Sequence, residues 1–203
     1  MAAATPNLTR ILTSAQKLIL SKGFPATRID EICEAAGVTK GGFYYHFGSK
    51  DELALAVIDR YFDGIVEALT LEDPVPDDPR EKVLAFIAQA IEVARGPVLR
   101  DGCVLGVLTL DLAETHPEIR LALAERFSGV AKALEGDLVA ARESSPSWRG
   151  GEPSSLARQF LVALEGGLVL AKAHDDPGLA VEALEHYRMA LEAALPAPEI
   201  GNG

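Results

Sequence analysis

Cysteine is scarce in this sequence, with only Cys33 and Cys103 among 203 residues. So few cysteines exclude a disulfide-stapled scaffold and fit a protein of a reducing compartment. Neither cysteine belongs to a Cys-x-x-Cys pair or to a cysteine and histidine cluster with the spacing of metal ligands. We therefore expect no metal site and no cofactor.

Targeting segments and long apolar runs are also lacking. The first ten residues, MAAATPNLTR, have neither the charged flank nor the apolar centre of a secretion signal. No uninterrupted apolar run approaches the roughly 20 residues that span a bilayer. We expect a soluble, cytoplasmic protein that does not engage a membrane.

Signatures of enzymes are missing as well. The chain has no Gly-x-Ser-x-Gly motif and no phosphate-binding glycine loop. Four histidines, at positions 46, 116, 174 and 186, are scattered and suggest no catalytic set. An enzyme, most plausibly a hydrolase, is the alternative of a different class, and the sequence argues against it.

Negative charge dominates the chain, but unevenly. Residues 1–50 hold six Lys/Arg and three Asp/Glu, a balance of +3, whereas the remainder holds 13 and 27, a balance of −14, which together give −11. A mildly basic head on an acidic body would favour contact with a polyanion through one end only. Because chance alone can make 50 residues mildly basic, charge does not decide the function.

Helical periodicity runs along almost the whole chain, without alternating β-branched stretches. We expect an all-α fold of about nine helices. Thr27 and Thr39 are expected N-caps, and Ser49 with Glu52 forms a capping box. The expected helices lie near residues 8–22, 27–36, 39–47, 50–71, 79–95, 103–115, 117–143, 154–174 and 177–195.

The stretch VTKGGFYYHF (38–47) places two glycines beside several aromatic rings. Each glycine costs a helix roughly 1 kcal/mol relative to alanine, so a compensating role is expected. Residues 27–47 match a helix-turn-helix, whose second helix enters the major groove of DNA. Gly41 and Gly42 then let the backbone approach DNA closely with its N–H groups toward a phosphate, and Lys40 adds charge.

The rings of this second helix divide into two faces. Phe43 and Phe47 are four residues apart and are expected to pack in the core. Tyr44, Tyr45 and His46 suit contacts with sugars, thymine methyls and phosphates, the alternative being plain surface. His46 alone could equally be a structural histidine.

The run from Leu12 to Tyr61 includes KGFPATRIDEICEAAGVTKGGFYYHFGSKDEL, which resembles the DNA-binding domain of TetR-family transcriptional regulators. The matching features are the KGF turn, AT-x-I-x-x-I, the AGV turn, GG-x-YYHF and SKDEL. The resemblance implies that Thr27, Arg28 and Lys50 hold backbone phosphates of a double-stranded operator. It also implies a DNA face made of Thr39, Lys40, Gly41, Gly42, Tyr44, Tyr45 and His46.

The resemblance implies two domains. Residues 1–50 would form the DNA-binding domain, and residues 51–203 would form a helical regulatory domain that binds a small-molecule effector. It also implies a homodimer formed through the last two long helices. Apolar stripes in those helices agree with dimerisation but would equally suit an intramolecular core. The stripes are Leu156, Phe160, Leu164, Leu168 and Ala171, with Gly166-Gly167, and then Leu184, Tyr187, Leu191 and Leu195.

The sequence does not identify the effector. A set of apolar residues in the central helices could line a pocket or simply fill a core, and core is the better interpretation for any one of them. The set is Ile65, Leu69, Phe86, Ile87, Ala90, Leu105, Leu108, Phe127 and Val130. No ligand-binding residue is assigned.

The run Gly-Cys-Val-Leu-Gly (102–106) resembles a subgroup of the family in which some members sense reactive electrophiles. Cys103 would open a helix, where the N-terminus lowers the pKa of a thiol, and Arg100 is near while Asp101 opposes the effect. The alternative is a small buried residue at a helix start. Cys33 is expected in the core.

These observations favour a ligand-responsive transcriptional repressor that binds a palindromic operator as a dimer and is released by an effector. The alternative keeps DNA binding and makes Cys103 the trigger. An activator is a further alternative, because no feature of the sequence distinguishes activation of transcription from repression.

Overall fold

The computed structural model describes residues 6–72, 74–145 and 148–195, and these residues form nine helices and no strand. The all-α prediction is confirmed. The helices are α1 (Pro6–Lys22), α2 (Ile29–Ala36), α3 (Lys40–Tyr44), α4 (Lys50–Leu69), α5 (Pro79–Arg95), α6 (Val104–Leu112), α7 (Pro117–Ser144), α8 (Pro153–His174) and α9 (Gly178–Ala194).

Local capping signals place several of these helix starts. Asp78 caps α5 by accepting the N–H of Glu81 at 2.9 Å, and Pro79 occupies the first turn. Oγ of Ser49 accepts the N–H of Glu52 at 3.1 Å, as predicted. The carboxylate of Glu52 accepts the N–H of Gly48, at 2.8 Å, instead of that of Ser49. The first hydrogen bond of the predicted capping box is therefore present, and its second comes from Gly48, one residue before Ser49.

The prediction that Thr27 caps α2 is wrong. Arg28 occupies the N-cap position, and its N–H donates to the carboxylate of Glu31 at 2.9 Å. The hydroxyl of Thr27 donates instead to the carbonyl of Gly23 at 2.7 Å. Thr27 thus stabilises the preceding loop and not the start of α2.

The α3 helix ends earlier than predicted, at Tyr44 rather than near Phe47. The N–H of His46 donates to the carbonyl of Phe43 at 2.9 Å, a bond over three residues that tightens the chain into a turn. Phe47 still reaches the interior and is 6% exposed. The turn therefore keeps both predicted phenylalanine anchors inside although the helix is shorter.

The described residues of Met1–Ile65 and Asp101–Arg126 form one compact unit. Within it α1 packs against α2 and α6, and α2 packs against α3. This unit continues past residue 50, where the sequence placed a domain boundary, and it includes α6 and the start of α7. Its most buried side chains are Ile11, Ile19, Ile32, Phe43, Leu53, Ile58, Leu108, Ile119 and Leu123.

The described residues of Val66–Arg100 and Phe127–Gly203 form the second compact unit, in which α9 packs against α8 and α5. Gly167 sets the closeness of α8 and α9, because a Cβ at that position would lie 2.9 Å from Cα of Ala180 and 3.0 Å from Cβ of Ala183. Both distances are shorter than van der Waals contact. The core of this unit includes Ile87, Leu134, Leu138, Phe160, Leu184 and Leu191.

The apolar stripes predicted in α8 and α9 face the interior of this unit. Phe160 and Leu184 are fully buried, and Leu168 and Leu191 are nearly so. Of the two interpretations of these stripes, packing in the core of the chain is therefore the one that the structure supports. A different apolar face is exposed: Val162 and Val169 on α8, 62% and 59%, and Met189 on α9, 64%.

By length and composition alone, α8 would be apolar enough to cross a membrane, although no uninterrupted run in the sequence suggested it. Less than a quarter of its apolar segment is buried within the structure. Val162, Val169 and Leu170 are its exposed large apolar residues.

Replacing Gly167 with alanine should destabilise the protein by about 1–3 kcal/mol, because the added methyl group must push α8 and α9 apart. Thermal unfolding of the purified protein measures the effect. The matched control is Gly136→Ala in α7, where a Cβ would meet nothing within 4 Å. That change should be neutral or stabilising by up to about 1 kcal/mol. Equal melting temperatures for the two variants would contradict the tight α8–α9 contact.

Candidate nucleic-acid interface

Two anchors fix how α3 presents its residues. At its start Oγ of Thr39 accepts the N–H of Gly42 at 3.1 Å, as predicted for an N-cap. At its centre Phe43 is fully buried, with its ring 5.6 Å from that of Phe47. With Phe43 held inside, Thr39, Lys40 and Gly41 lie on the exposed side of the helix.

The tyrosines that follow are solvent-exposed, with 54% of Tyr44 and 83% of Tyr45 accessible. Each ring meets a neighbour edge to face: Tyr44 lies 5.3 Å from Phe43, and Tyr45 lies 5.0 Å from His46, between ring centroids. His46 is partly exposed. Aromatic rings in such arrangements are favourable pairs, so they limit the freedom of the exposed side chains.

Within the described part of the structure, no neighbouring atom requires glycine at positions 41 and 42. A Cβ at Gly41 would come no closer than 3.9 Å to Oγ of Thr39. A Cβ at Gly42 would meet that oxygen at 3.5 Å and Cβ of Val38 at 3.8 Å, which are ordinary contacts. The absence of side chains therefore leaves the α3 backbone open to a molecule outside the chain.

Cations offset the acidic residues at the start of α2. Lys40 pairs with Asp30 at 2.8 Å, and this hydrogen bond raises the pKa of Lys40. Lys22 pairs with Glu31 at 2.7 Å, and hydrogen bonds from Lys22 and from the N–H of Arg28 lower the pKa of Glu31. The Lys40 pair is about two-thirds exposed. Such an exposed pair contributes little to stability.

Two residues of the predicted phosphate-binding set face inward. Thr27 is 1% exposed with its hydroxyl on Gly23. Nζ of Lys50 donates to the carbonyl of Phe24 at 2.5 Å and lies 4.0 Å from the centroid of its ring. Burial lowers the pKa of Lys50. Of the three predicted phosphate ligands, only Arg28 is exposed at the surface. No local sequence pattern indicated that Phe24 is the partner of Lys50.

Both cysteines are buried. Cys33 lies on α2, where burial raises the pKa of its thiol, as its predicted core position implies. Cys103 is 9% exposed and occupies the N-cap position of α6. Across the described ranges, no three His, Cys, Asp or Glu side chains come together as a metal site would require.

Comparison with known proteins identifies the family. A family model described as "Bacterial regulatory proteins, tetR family" matches residues 11–57, and one described as "Tetracyclin repressor-like, C-terminal domain" matches residues 79–187. The chain belongs to the TetR family. Members of this family are DNA-binding transcriptional regulators and not enzymes, and they bind operators, typically as dimers with small-molecule effectors.

Individual TetR-family relatives align over most of the chain. The HTH-type transcriptional repressor DhaR of Mycobacterium sp. (strain GP1) is 26% identical over 201 residues, 97% of this chain and 96% of that protein. The repressor NemR of Escherichia coli (strain K12) is 28% identical over 155 residues, 76% of this chain and 77% of that protein. A crystal structure described as the reduced form of E. coli NemR has the same fold, with a TM-score of 0.77 and 23% identity over 97% of this chain and 100% of that one.

Replacing Gly42 with leucine should reduce DNA binding to the non-specific level without unfolding the protein. A Cβ at this position makes only ordinary contacts within the chain, and the leucine side chain would obstruct the predicted approach of α3 to the duplex. Fluorescence anisotropy with labelled DNA measures binding, and thermal unfolding reports the fold. Ala140→Leu, at an exposed position of α7, is the control and should bind like the unmodified protein. Tight, specific binding by Gly42→Leu would show that the glycines serve another purpose.

Proposed function

We propose that this TetR-family regulator is a ligand-responsive repressor that binds a palindromic operator as a homodimer. The observation that carries the proposal is the exposed face of α3, which presents Tyr44 and Tyr45 beside a backbone left open by Gly41 and Gly42. Repression is proposed because DhaR and NemR, which align over most of the chain, are both named repressors.

The proposed DNA face consists of α3 and the exposed start of α2. Base edges and sugars would meet the residues of α3, and phosphates would meet Arg28 and Lys40. The set retained from the sequence is Arg28, Thr39, Lys40, Gly41, Gly42, Tyr44, Tyr45 and His46. Lys50 and Thr27 would support this face from beneath, since the side chain of each is engaged by the loop between α1 and α2.

The exposed faces of α8 and α9 support the homodimer. On α8 the exposed residues Val162, Gly166, Val169 and Ala173 recur at helical spacing, so they form one stripe. A Cβ at Gly166 would meet nothing within 4 Å, which leaves room for a second helix. The matching stripe on α9 is Glu182, His186, Met189 and Ala193. A second copy of the chain would cover these stripes with its own.

The effector is proposed to bind among the helices of residues 51–203 and to shift the two recognition helices away from their half-sites. Of the apolar residues considered as a lining, Ile87, Ala90 and Leu108 are buried, whereas Phe86 and Phe127 are partly exposed. The contacts do not distinguish lining from core, so no effector-binding residue is assigned.

A selection from random DNA, followed by binding of the purified protein to the selected site, tests the proposal. One dimer should bind a short inverted repeat, and a salt series should show the steep loss of affinity that phosphate contacts cause. Failure to enrich any sequence, with or without cell extract as a source of effector, would reject the proposal.

Replacing Val169 with glutamate should weaken the dimer at least about tenfold, because two unpaired carboxylates would enter the interface. Sedimentation at several protein concentrations measures the dissociation constant. Val98→Glu makes the same change at an exposed valine outside α8 and α9 and should leave the dimer intact. If both variants sediment like the unmodified protein, the dimer uses another surface.

A second trigger is favoured by the position of Cys103 at the start of α6 and by the likeness to NemR, whose solved structure is described as the reduced form. N-ethylmaleimide should then release the protein from its operator, and Cys103→Ser should abolish that release. Cys33→Ser is the control and should still respond. Release of the Cys103→Ser variant by the reagent would exclude this trigger.

A further inference from the structure

The peptide groups of Phe24, in the loop between α1 and α2, are held from two sides by side chains of opposite charge. The N–H of Phe24 donates to Oδ2 of Asp111 at 2.7 Å, and its carbonyl accepts from Nζ of Lys50 at 2.5 Å. Asp111 lies on α6, and Lys50 is the first residue of α4. The loop is thus bonded to two other helices of the first unit, an arrangement we call the Phe24 clamp.

The Phe24 clamp fits closely around its loop. Gly23 has a φ of +79°, and a Cβ there would lie 3.0 Å from Oδ2 of Asp111. The hydroxyl of Thr27 donates to the carbonyl of Gly23, and the N–H of Thr27 donates to the carbonyl of Phe24 at 3.1 Å. Hydrogen bonds to ionised groups are stronger than neutral ones, so Asp111 and Lys50 are the strong members of this set.

The loop leads directly into the DNA face. Arg28 follows Thr27, is exposed, and occupies the N-cap position of α2. The position of the loop therefore determines where Arg28 and the first turn of α2 meet a phosphate. Without the clamp the loop would be less well fixed. Part of the free energy of DNA binding would then be used to order the loop, and the affinity would fall.

We propose that Asp111 is a positioning residue for DNA binding, which fixes the loop carrying Arg28 through the N–H of Phe24. Lys50 completes the Phe24 clamp from the other side and is not itself a phosphate ligand. The inference rests on the proposed function, because it concerns the same DNA face. It assigns a role in DNA binding to a residue of α6, which lies outside the segment that resembles the DNA-binding domain.

Removal of Asp111 should change the affinity for DNA in the direction opposite to that expected from its charge alone. Loss of a negative charge from a DNA-binding unit ordinarily leaves affinity for DNA unchanged or raises it, because repulsion of the phosphates falls. The Phe24 clamp predicts the reverse for Asp111. An exposed acid three residues further on, Glu114, provides the charge-matched control.

The experiment measures binding of full-length variants to the selected operator by fluorescence anisotropy. Asp111→Ala should bind at least about tenfold more weakly, since the N–H of Phe24 loses an ionised acceptor. Asp111→Asn keeps an acceptor oxygen and should stay within about threefold of the unmodified protein. Glu114→Ala should bind equally well or more tightly.

Hydrogen exchange of the peptide containing Phe24 supplies a second readout. It should be faster in Asp111→Ala and unchanged in Glu114→Ala, whereas exchange in α9 should be the same in both. Binding by Asp111→Ala that equals or exceeds that of the unmodified protein would overturn the inference. If the unmodified protein itself selects no DNA, the proposed function is wrong. If it selects DNA and Asp111→Ala binds equally well, only the role assigned to Asp111 is wrong.

Lys50→Met tests the other side of the clamp and carries the test if Asp111→Ala does not fold. Methionine keeps an apolar chain over the Phe24 ring and removes the ammonium group. Affinity should fall while the dependence of log K on log salt keeps its slope. A phosphate ligand would instead reduce that slope by about one unit. A reduced slope would therefore overturn the role assigned to Lys50.

Discussion

Burial of Phe43 is the interaction on which the DNA face depends. A helix of five residues, Lys40–Tyr44, is too short to be stable alone, and its two glycines weaken it further. The ring of Phe43 is fully enclosed, so the first unit imposes both the helix and its orientation. Tyr44 and Tyr45 then face outward, and the ring of Tyr44 packs edge to face on that of Phe43. In the proposed role, the glycines can leave the α3 backbone open to DNA because the burial of Phe43 stabilises the helix.

Hydrogen bonds could be predicted from the sequence where the donor and the acceptor lie close together in the chain. Thr39 and Ser49 were assignable as N-caps because each accepts an N–H only three residues away. The partner of the Phe24 N–H is 87 residues distant, on α6, and no local pattern records it. Phe24 likewise bonds Lys50, which the family resemblance placed on a phosphate. The exposed face of α3 was predictable from spacing, whereas its support from below was not.

Hydrophobic periodicity also did not show which of the two apolar faces of α8 is buried within the chain. It marks residues that recur on one side of a helix, but a helix with two apolar sides offers two such sets. The larger side chains, such as Phe160 and Leu168, fill the interior, while the smaller set of Val162, Gly166 and Val169 is exposed. Choosing between them requires the position of α9. Gly167 fixes that position because α9 occupies the space of its missing side chain.

The close approach of Gly23 to Asp111 makes the two positions mutationally dependent. Any side chain at position 23 would meet Oδ2 of Asp111 and would be strained by the positive φ. Shortening residue 111 to make room would deprive the Phe24 N–H of its acceptor. Either change alone is therefore unfavourable, and making both changes would neither restore the acceptor of the Phe24 N–H nor relieve the positive φ. Two residues far apart in the chain are consequently constrained by one loop.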